Sequence, residues 1–148
     1  MNFKTLYILS LSLFLISSCA GTKELKRNTS WSLEFSKGNC LDVCDSYEIK
    51  IENSRNYSYK GFHNVKHIGE KSGFISKEKF SELEKLLDSV DWNEYKSQYG
   101  SPGTGIQRKE FLFTSKIQST TITYYRIEPQ QIRALELFID QLIELDDI

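Results

Sequence analysis

Few side chains in this 148-residue chain have types and spacing suited to chemistry: Cys19, Cys40 and Cys44, and the two histidines His63 and His67. Cys40 and Cys44 lie four positions apart, a separation that a turn can bring within disulfide geometry. Closing so small a ring restricts the unfolded chain by only about 2 kcal/mol. The same two thiolates could instead hold a soft metal such as copper(I) or zinc. A redox-active dithiol is a third use, although Cys-x-x-Cys is the usual spacing for it. His63 and His67 would share one face of a helix, as two metal ligands need. Gly61 and Gly69 bracket them, however, and the stretch reads as extended. Four positions along a strand cover ~13 Å, too far for one metal. Both histidines are therefore expected to be structural or solvated, and no metal site is assigned.

Other chemistries leave no trace. There is no Gly-x-Ser-x-Gly, no P-loop and no His-Glu-x-x-His. Asp146 and Asp147 form a carboxylate pair in a terminus expected to fray. A hydrolase whose two carboxylates come from distant positions would show no local motif, and nothing favours one here. No catalytic residue and no cofactor is assigned, and an enzyme is not the expected reading.

Cys19 has a different context. Lys4 is the only charged residue before it, and Leu6 to Ile16 form a short apolar run. That run is too short to span a bilayer, which takes ~20 apolar residues. It has the layout of a secretory signal. The run ends in Ile16-Ser17-Ser18-Cys19, which resembles the lipobox of bacterial lipoproteins. The resemblance implies cleavage before Cys19 and attachment of lipid to its thiol. Two or more acyl chains anchor a protein durably where one does not. Residues 1–18 are thus expected to be a lipoprotein signal peptide, and residues 19–30 the lipidated cysteine and a polar, flexible tether of roughly 20 Å. The expected location is the cell envelope, anchored to a membrane (the outer one, on its periplasmic or surface side). An even cysteine pair in an exported chain reads first as a disulfide. The Cys-x3-Cys spacing is also similar to the copper-binding pair of thioredoxin-like copper chaperones, but those use a βαβ fold and a distant histidine ligand.

The remainder, residues 31–148, has the length of one domain. Without Lys4 the net charge is about −2, with no basic block, so nucleic-acid binding has no electrostatic support. Trp31, Leu33 and Phe35 alternate with polar residues, as do Tyr47, Ile49 and Ile51, and this period of two marks strands. Asn53 to Asn56 supplies a hairpin turn into a return strand through Tyr57 and Tyr59. A fourth extended stretch runs from about Val65 to Ile75. Ser76 is a suitable helix N-cap, followed by Phe80, Leu83, Leu86, Leu87 and Val90 at helical spacing. Tyr99 to Gly105, with three glycines and a proline, is read as a loop. Phe111 to Phe113 and Thr120 to Tyr125 form a hairpin, and a last helix begins near Pro129 with Ile132, Leu135, Phe138, Ile139 and Leu142 on one stripe. The expected fold is a single α+β domain, an antiparallel sheet in the order ββββ-α-ββ-α with its helices packed on one face.

Several of these features together resemble a bacterial family known as domain of unknown function 6438. They are Cys40-Leu-Asp-Val-Cys44 followed by Tyr47, the hairpin into Tyr59-Lys60-Gly61, and Gly69 leading to Gly73-Phe-Ile-Ser76 and its helix. The later strand pair and closing helix also fit, so the resemblance runs from about Leu33 to Leu145. Asp42 and Asp45 stand where the family pattern has glycine and proline. The resemblance implies the topology and a role for the cysteine loop, and no activity. The expected function is a lipid-anchored, non-enzymatic binding or interaction module. Its partners would be the membrane, through the lipid, and an envelope protein or glycan, either of them held by an exposed subset of Tyr57, Tyr59, Trp92, Tyr95, Tyr99, Tyr124 and Tyr125 beside the glycine-rich loop. The alternative is a metal-handling or redox protein using Cys40 and Cys44.

Overall fold

In the computed structural model, which describes residues 30–145, strands come first and two helices follow among them. The order is β1 (Trp31–Lys37), β2 (Ser46–Glu52), β3 (Asn56–His63), β4 (Gly69–Phe74), α1 (Lys77–Ser89), β5 (Gln98–Tyr99), β6 (Lys109–Ser115), β7 (Ser119–Tyr124) and α2 (Gln130–Glu144). They build one sheet in the order β4-β3-β2-β1-β6-β7-β5. The first strand in sequence is thus the middle strand in space.

Alternation dictates the two faces. Leu33 and Phe35 of β1, Tyr47, Ile49 and Ile51 of β2, Tyr57 and Tyr59 of β3, Phe111 of β6 and Ile122 and Tyr124 of β7 are all buried. An aromatic row crosses five adjacent strands on this face. Tyr59 lies 5.9 Å from Tyr47, Tyr47 meets Phe35 edge-on at 5.8 Å, Phe35 stacks on Phe111 at 4.1 Å, and Phe111 stacks on Tyr124 at 6.3 Å. Each such pair adds roughly 0.5–1.5 kcal/mol beyond the burial of its area. Both helices cover this face. α1 brings Phe80 onto Trp31 at 5.6 Å, and the segment after it stacks Trp92 on Phe113 at 4.6 Å. α2 buries Ile132, Leu135, Ile139 and Leu142. The other face carries polar side chains such as Glu34, Glu48 and Lys50 and remains open to solvent, as one face of an antiparallel sheet commonly does.

α1 starts as its sequence dictates: Ser76 Oγ accepts a hydrogen bond from the Lys79 amide at 3.2 Å, and Glu78 sits in the first turn. Gly61 marks a close approach. A Cβ there would overlap the His67 carbonyl, which also accepts the Tyr59 hydroxyl at 3.0 Å.

Three expectations need correction. The sheet is mixed, not purely antiparallel, because β5 pairs in parallel with β7. The order is accordingly ββββ-α-βββ-α. Tyr99, read as the start of a loop, belongs to this strand: the Thr123 amide donates to Ser97 O and the Tyr125 amide to Tyr99 O. The strand stops at once at Gly100, whose φ of +72° suits glycine. In the fourth extended stretch only Gly69–Phe74 is strand; Asn64, with φ of +51°, turns the chain before it.

Candidate functional site

The two ends of the sheet differ. The chain enters at Trp31, and the turns after β2 and β6 lie at that end, since Ser32 pairs with Glu52 and Trp31 with Ser115. At the far end, roughly 20 Å away along a seven-residue strand, Lys37 pairs with Tyr47 on one side and with Lys109 on the other. The far end carries the cysteine loop, residues 38–45.

The sulfurs of Cys40 and Cys44 stand 2.13 Å apart, disulfide bonding distance. The loop around them is tied down at several points. The Gly38 amide donates to Arg108 O at 2.8 Å, and Gln107 Nε2 donates to Gly38 O at 2.9 Å and to Asp45 O at 2.6 Å. Asn64 Nδ2 donates to Asp45 Oδ1 at 3.0 Å. A Cβ added to Gly105 would press on Leu41, so that glycine-rich loop packs beside the ring. Between the cysteines, Leu41 and Val43 are 76 % and 85 % exposed. Asp42 separates them, and Asp45 follows.

The loop's two stems deliver charges into the interior. Lys37, at the end of β1, is buried, and its Nζ lies 2.7 and 2.8 Å from the two Asp140 oxygens and 3.0 Å from Glu136 Oε1. Tyr47, at the start of β2, donates its hydroxyl to Asp140 at 2.6 Å. From β6, Lys109 Nζ reaches Glu136 Oε1 at 2.6 Å, and from β7 the Tyr124 hydroxyl donates to Glu136 Oε2 at 2.6 Å. Glu136 and Asp140 are one helical turn apart on α2. Beyond them Lys66 Nζ donates to Glu144 O at 3.1 Å. α2 therefore crosses the far end from β7 to the loop after β3, fastening one strand end after another.

The electrostatics follow from this pairing. Burial alone would lower the Lys37 ammonium pKa, but the hydrogen bond and charge of Asp140, with those of Glu136, raise it above the usual lysine value. Burial would raise the Glu136 carboxyl; hydrogen bonds from Lys109 and Tyr124 and the charges of Lys37 and Lys109 hold it below the usual glutamate value. Burial and the adjacent carboxylates push both tyrosine hydroxyls well up. Two ammonium groups, two carboxylates and two neutral phenols thus satisfy one another, an arrangement that fastens α2 to the sheet.

The expected site residues fall as follows. Cys40 and Cys44 come together; Cys19 lies outside the described residues, as do Asp146 and Asp147. His63 ends β3 and is exposed, whereas His67 lies beyond the turn at Asn64, so the two flank a bend instead of sharing a strand. Among the described residues no group of three or more His, Cys, Asp or Glu side chains is placed to hold a metal ion. Of the aromatics named for a contact surface, Tyr57, Tyr59, Trp92 and Tyr124 are buried, and Tyr95 and Tyr99 are half-buried against each other at 6.5 Å; among the described residues Phe74 is the one aromatic in the set of large exposed apolar side chains. The buried charges were not anticipated. Their signal was phase: Lys37 continues the alternation of Leu33 and Phe35, Lys109 that of Phe111 and Phe113, and Glu136 sits inside the apolar stripe of α2.

The open face has a shallow groove of about 640 Å³, bordered by Glu34, Glu48, Lys50, Ser58, Lys60 and Glu110. Its charges pair across strands, Lys50 with Glu34 at 3.5 Å and Lys60 with Glu70 at 3.0 Å, as on a solvated sheet surface.

No curated protein matches the chain. Residues 32–143 match the profile of a domain of unknown function, DUF6438, a span that takes in the described strands and helices except Trp31 at the start of β1 and Glu144 at the end of α2, together with the cysteine loop and the buried charges beneath it, and the chain belongs to that family.

Proposed function

We propose that the protein is a lipid-anchored interaction module of the cell envelope, and that its contact surface is the loop closed by Cys40 and Cys44. The observation that carries this reading is the exposure of Leu41 and Val43 on a loop held by a cross-link and by bonds to two neighbouring loops. Apolar side chains on a pre-shaped loop bind with little loss of conformational entropy. A protein partner with an apolar depression suits them better than a glycan, because the aromatics that would stack on sugar rings are largely taken up in the core. The anchor rests on the lipobox at Cys19. Metal handling or dithiol chemistry would need two free thiols, and bonding distance between the sulfurs favours the scaffold role for the pair.

Site-specific photo-crosslinking of the full chain in cells tests this. A crosslinker at Val43 is expected to trap a discrete adduct that Leu41→Asp abolishes, while one at Ser58 on the open face traps none. Adducts at Ser58 alone would move the contact surface to the groove. Intact mass of the membrane-extracted protein, with and without reductant, reads the lipid on Cys19 and the state of the cysteine pair separately.

A further inference from the structure

We infer that the entry end of the domain, opposite the cysteine loop, is a docking surface for the bilayer that holds the anchor; the inference rests on the lipid-anchor reading of Cys19. The chain emerges from the fold at Trp31, and only residues 20–30 separate that point from the expected lipid. A connection of eleven residues reaches no further than ~40 Å even when fully extended, so the entry end is the part of the domain held nearest the headgroups. At this end, two of the most exposed apolar side chains stand far apart, one on the edge strand β4 and one on the β6–β7 hairpin. Ile117, at the tip of the β6–β7 hairpin beside Trp31, is 89 % exposed, and Phe74, the last residue of β4, is 69 % exposed. β4 and β6 are four strand spacings apart, roughly 19 Å. Two tips so far apart suit a flat apolar layer more than a pocket on a globular partner.

The entry end carries charges of both signs, with a base next to each apolar tip, Lys116 at Ile117 and Arg55, bonded to Ile75 O, at Phe74. Arg55 in the turn after β2, Lys77 at the start of α1 and Lys116 beside Ile117 are the bases closest to the two tips. α1, which stacks Phe80 on Trp31 and leads to Trp92 on Phe113, also runs along this end. It carries Lys79 and Lys85 with Glu78, Glu82, Glu84 and Asp88; Asp91 follows it, and Glu52 ends β2. The connecting segment adds Lys23, Lys26 and Arg27 against Glu24. Basic residues around apolar tips recognise an anionic lipid surface. The contact need not be strong, because the anchor makes it an event within one assembly. It would turn the cysteine loop away from the membrane, toward whatever faces it.

The test uses the full chain, extracted from membranes and placed in vesicles of phosphatidylethanolamine and phosphatidylglycerol. Ile117→Trp and Leu41→Trp, both at exposed sites that leave the core untouched, are compared by quenching with brominated lipids, against the background of Trp31 and Trp92. Quenching is expected to be several-fold stronger for Ile117→Trp, and to fall when Lys116→Glu is added. Equal quenching at the two positions, or stronger quenching for Leu41→Trp, overturns the proposal. If intact mass shows Cys19 unmodified, the anchor reading has failed. The same comparison is then made on the chain from Cys19 coupled through that thiol to a maleimide lipid, where the quenching ratio decides the docking surface by itself.

Discussion

Glu136 is the residue on which the far end turns: Lys37, Lys109 and Tyr124 all reach its two oxygens. Removing one member of a buried charged set leaves the others desolvated and unpaired, which costs about 3–5 kcal/mol. Glu136→Gln keeps a carbonyl acceptor and is expected at the low end, about 3 kcal/mol, read by urea unfolding. The pH dependence follows from the same contacts. The folded-state pKa of Glu136 lies below its ordinary value of 4.5, so the unfolded chain takes up the proton first. This contribution is complete above 4.5 and is lost as the pH falls below it. Lys37 and the tyrosines Tyr47 and Tyr124 are shifted upward from 10.5 and 10.0, so their contributions are complete below pH 10 and fade as it rises further. A plateau between these limits is expected in thermal melts, and Glu136→Gln should flatten the acid limb specifically. An unchanged acid limb would place the acid-sensitive group elsewhere. Lys37 was hidden in the sequence because alternation sorts positions by face, while a charge in phase with a core face is ordinarily taken as the point where the strand leaves the core.

At the scale of elements, the sequence was most legible where a period had room to repeat. Tyr47, Ile49 and Ile51 against Glu48, Lys50 and Glu52 define β2, and Ser76 fixes the start of α1. β5 has two residues and no period to read. It exists because Ser97 and Tyr99 offer carbonyls to the amides of Thr123 and Tyr125, a relation between distant segments. The cysteine loop was visible as a pair and a spacing, but its footing on Gln107 and Asn64 was not. That footing predicts the outcome of cutting the cross-link. The variant Cys40→Ser, Cys44→Ser should lose about 2 kcal/mol, the value for so short a ring. Amides at the loop, such as Asp45 and Ser46, should exchange faster with solvent, while those of Ile49 and Ile51 keep their protection. Loss of protection along all of β2 would mean that the ring holds the hairpin, not only its tip.

For the whole molecule, class and layering were legible: strands before helices, one apolar face, one charged face. The joining of the two halves was not. β1 is the seam, pairing with β2 next to it in sequence and with β6 beyond α1. Leu33 and Phe35 face the core from that seam, and Phe35 stacks on Phe111 of the second half. A chain ending before β6 would leave the outer edge of β1 without a partner and its apolar row uncovered. It is expected to aggregate, seen by light scattering, where the full chain stays monodisperse; a soluble, cooperatively unfolding fragment would show that the β1–β4 half is a folding unit in its own right.

The central place of β1 also orders events in time. A chain that emerges from its N-terminus can pair β1 through β4 by short hairpins, closed in microseconds each. The seam, by contrast, must wait until Ser115 can meet Trp31, a closure across most of the domain. Until then the strand destined for the centre is an edge. The slow step of folding is therefore assigned to the arrival of the β6–β7 hairpin, and the interval before it is when the chain most needs to be kept from its own copies.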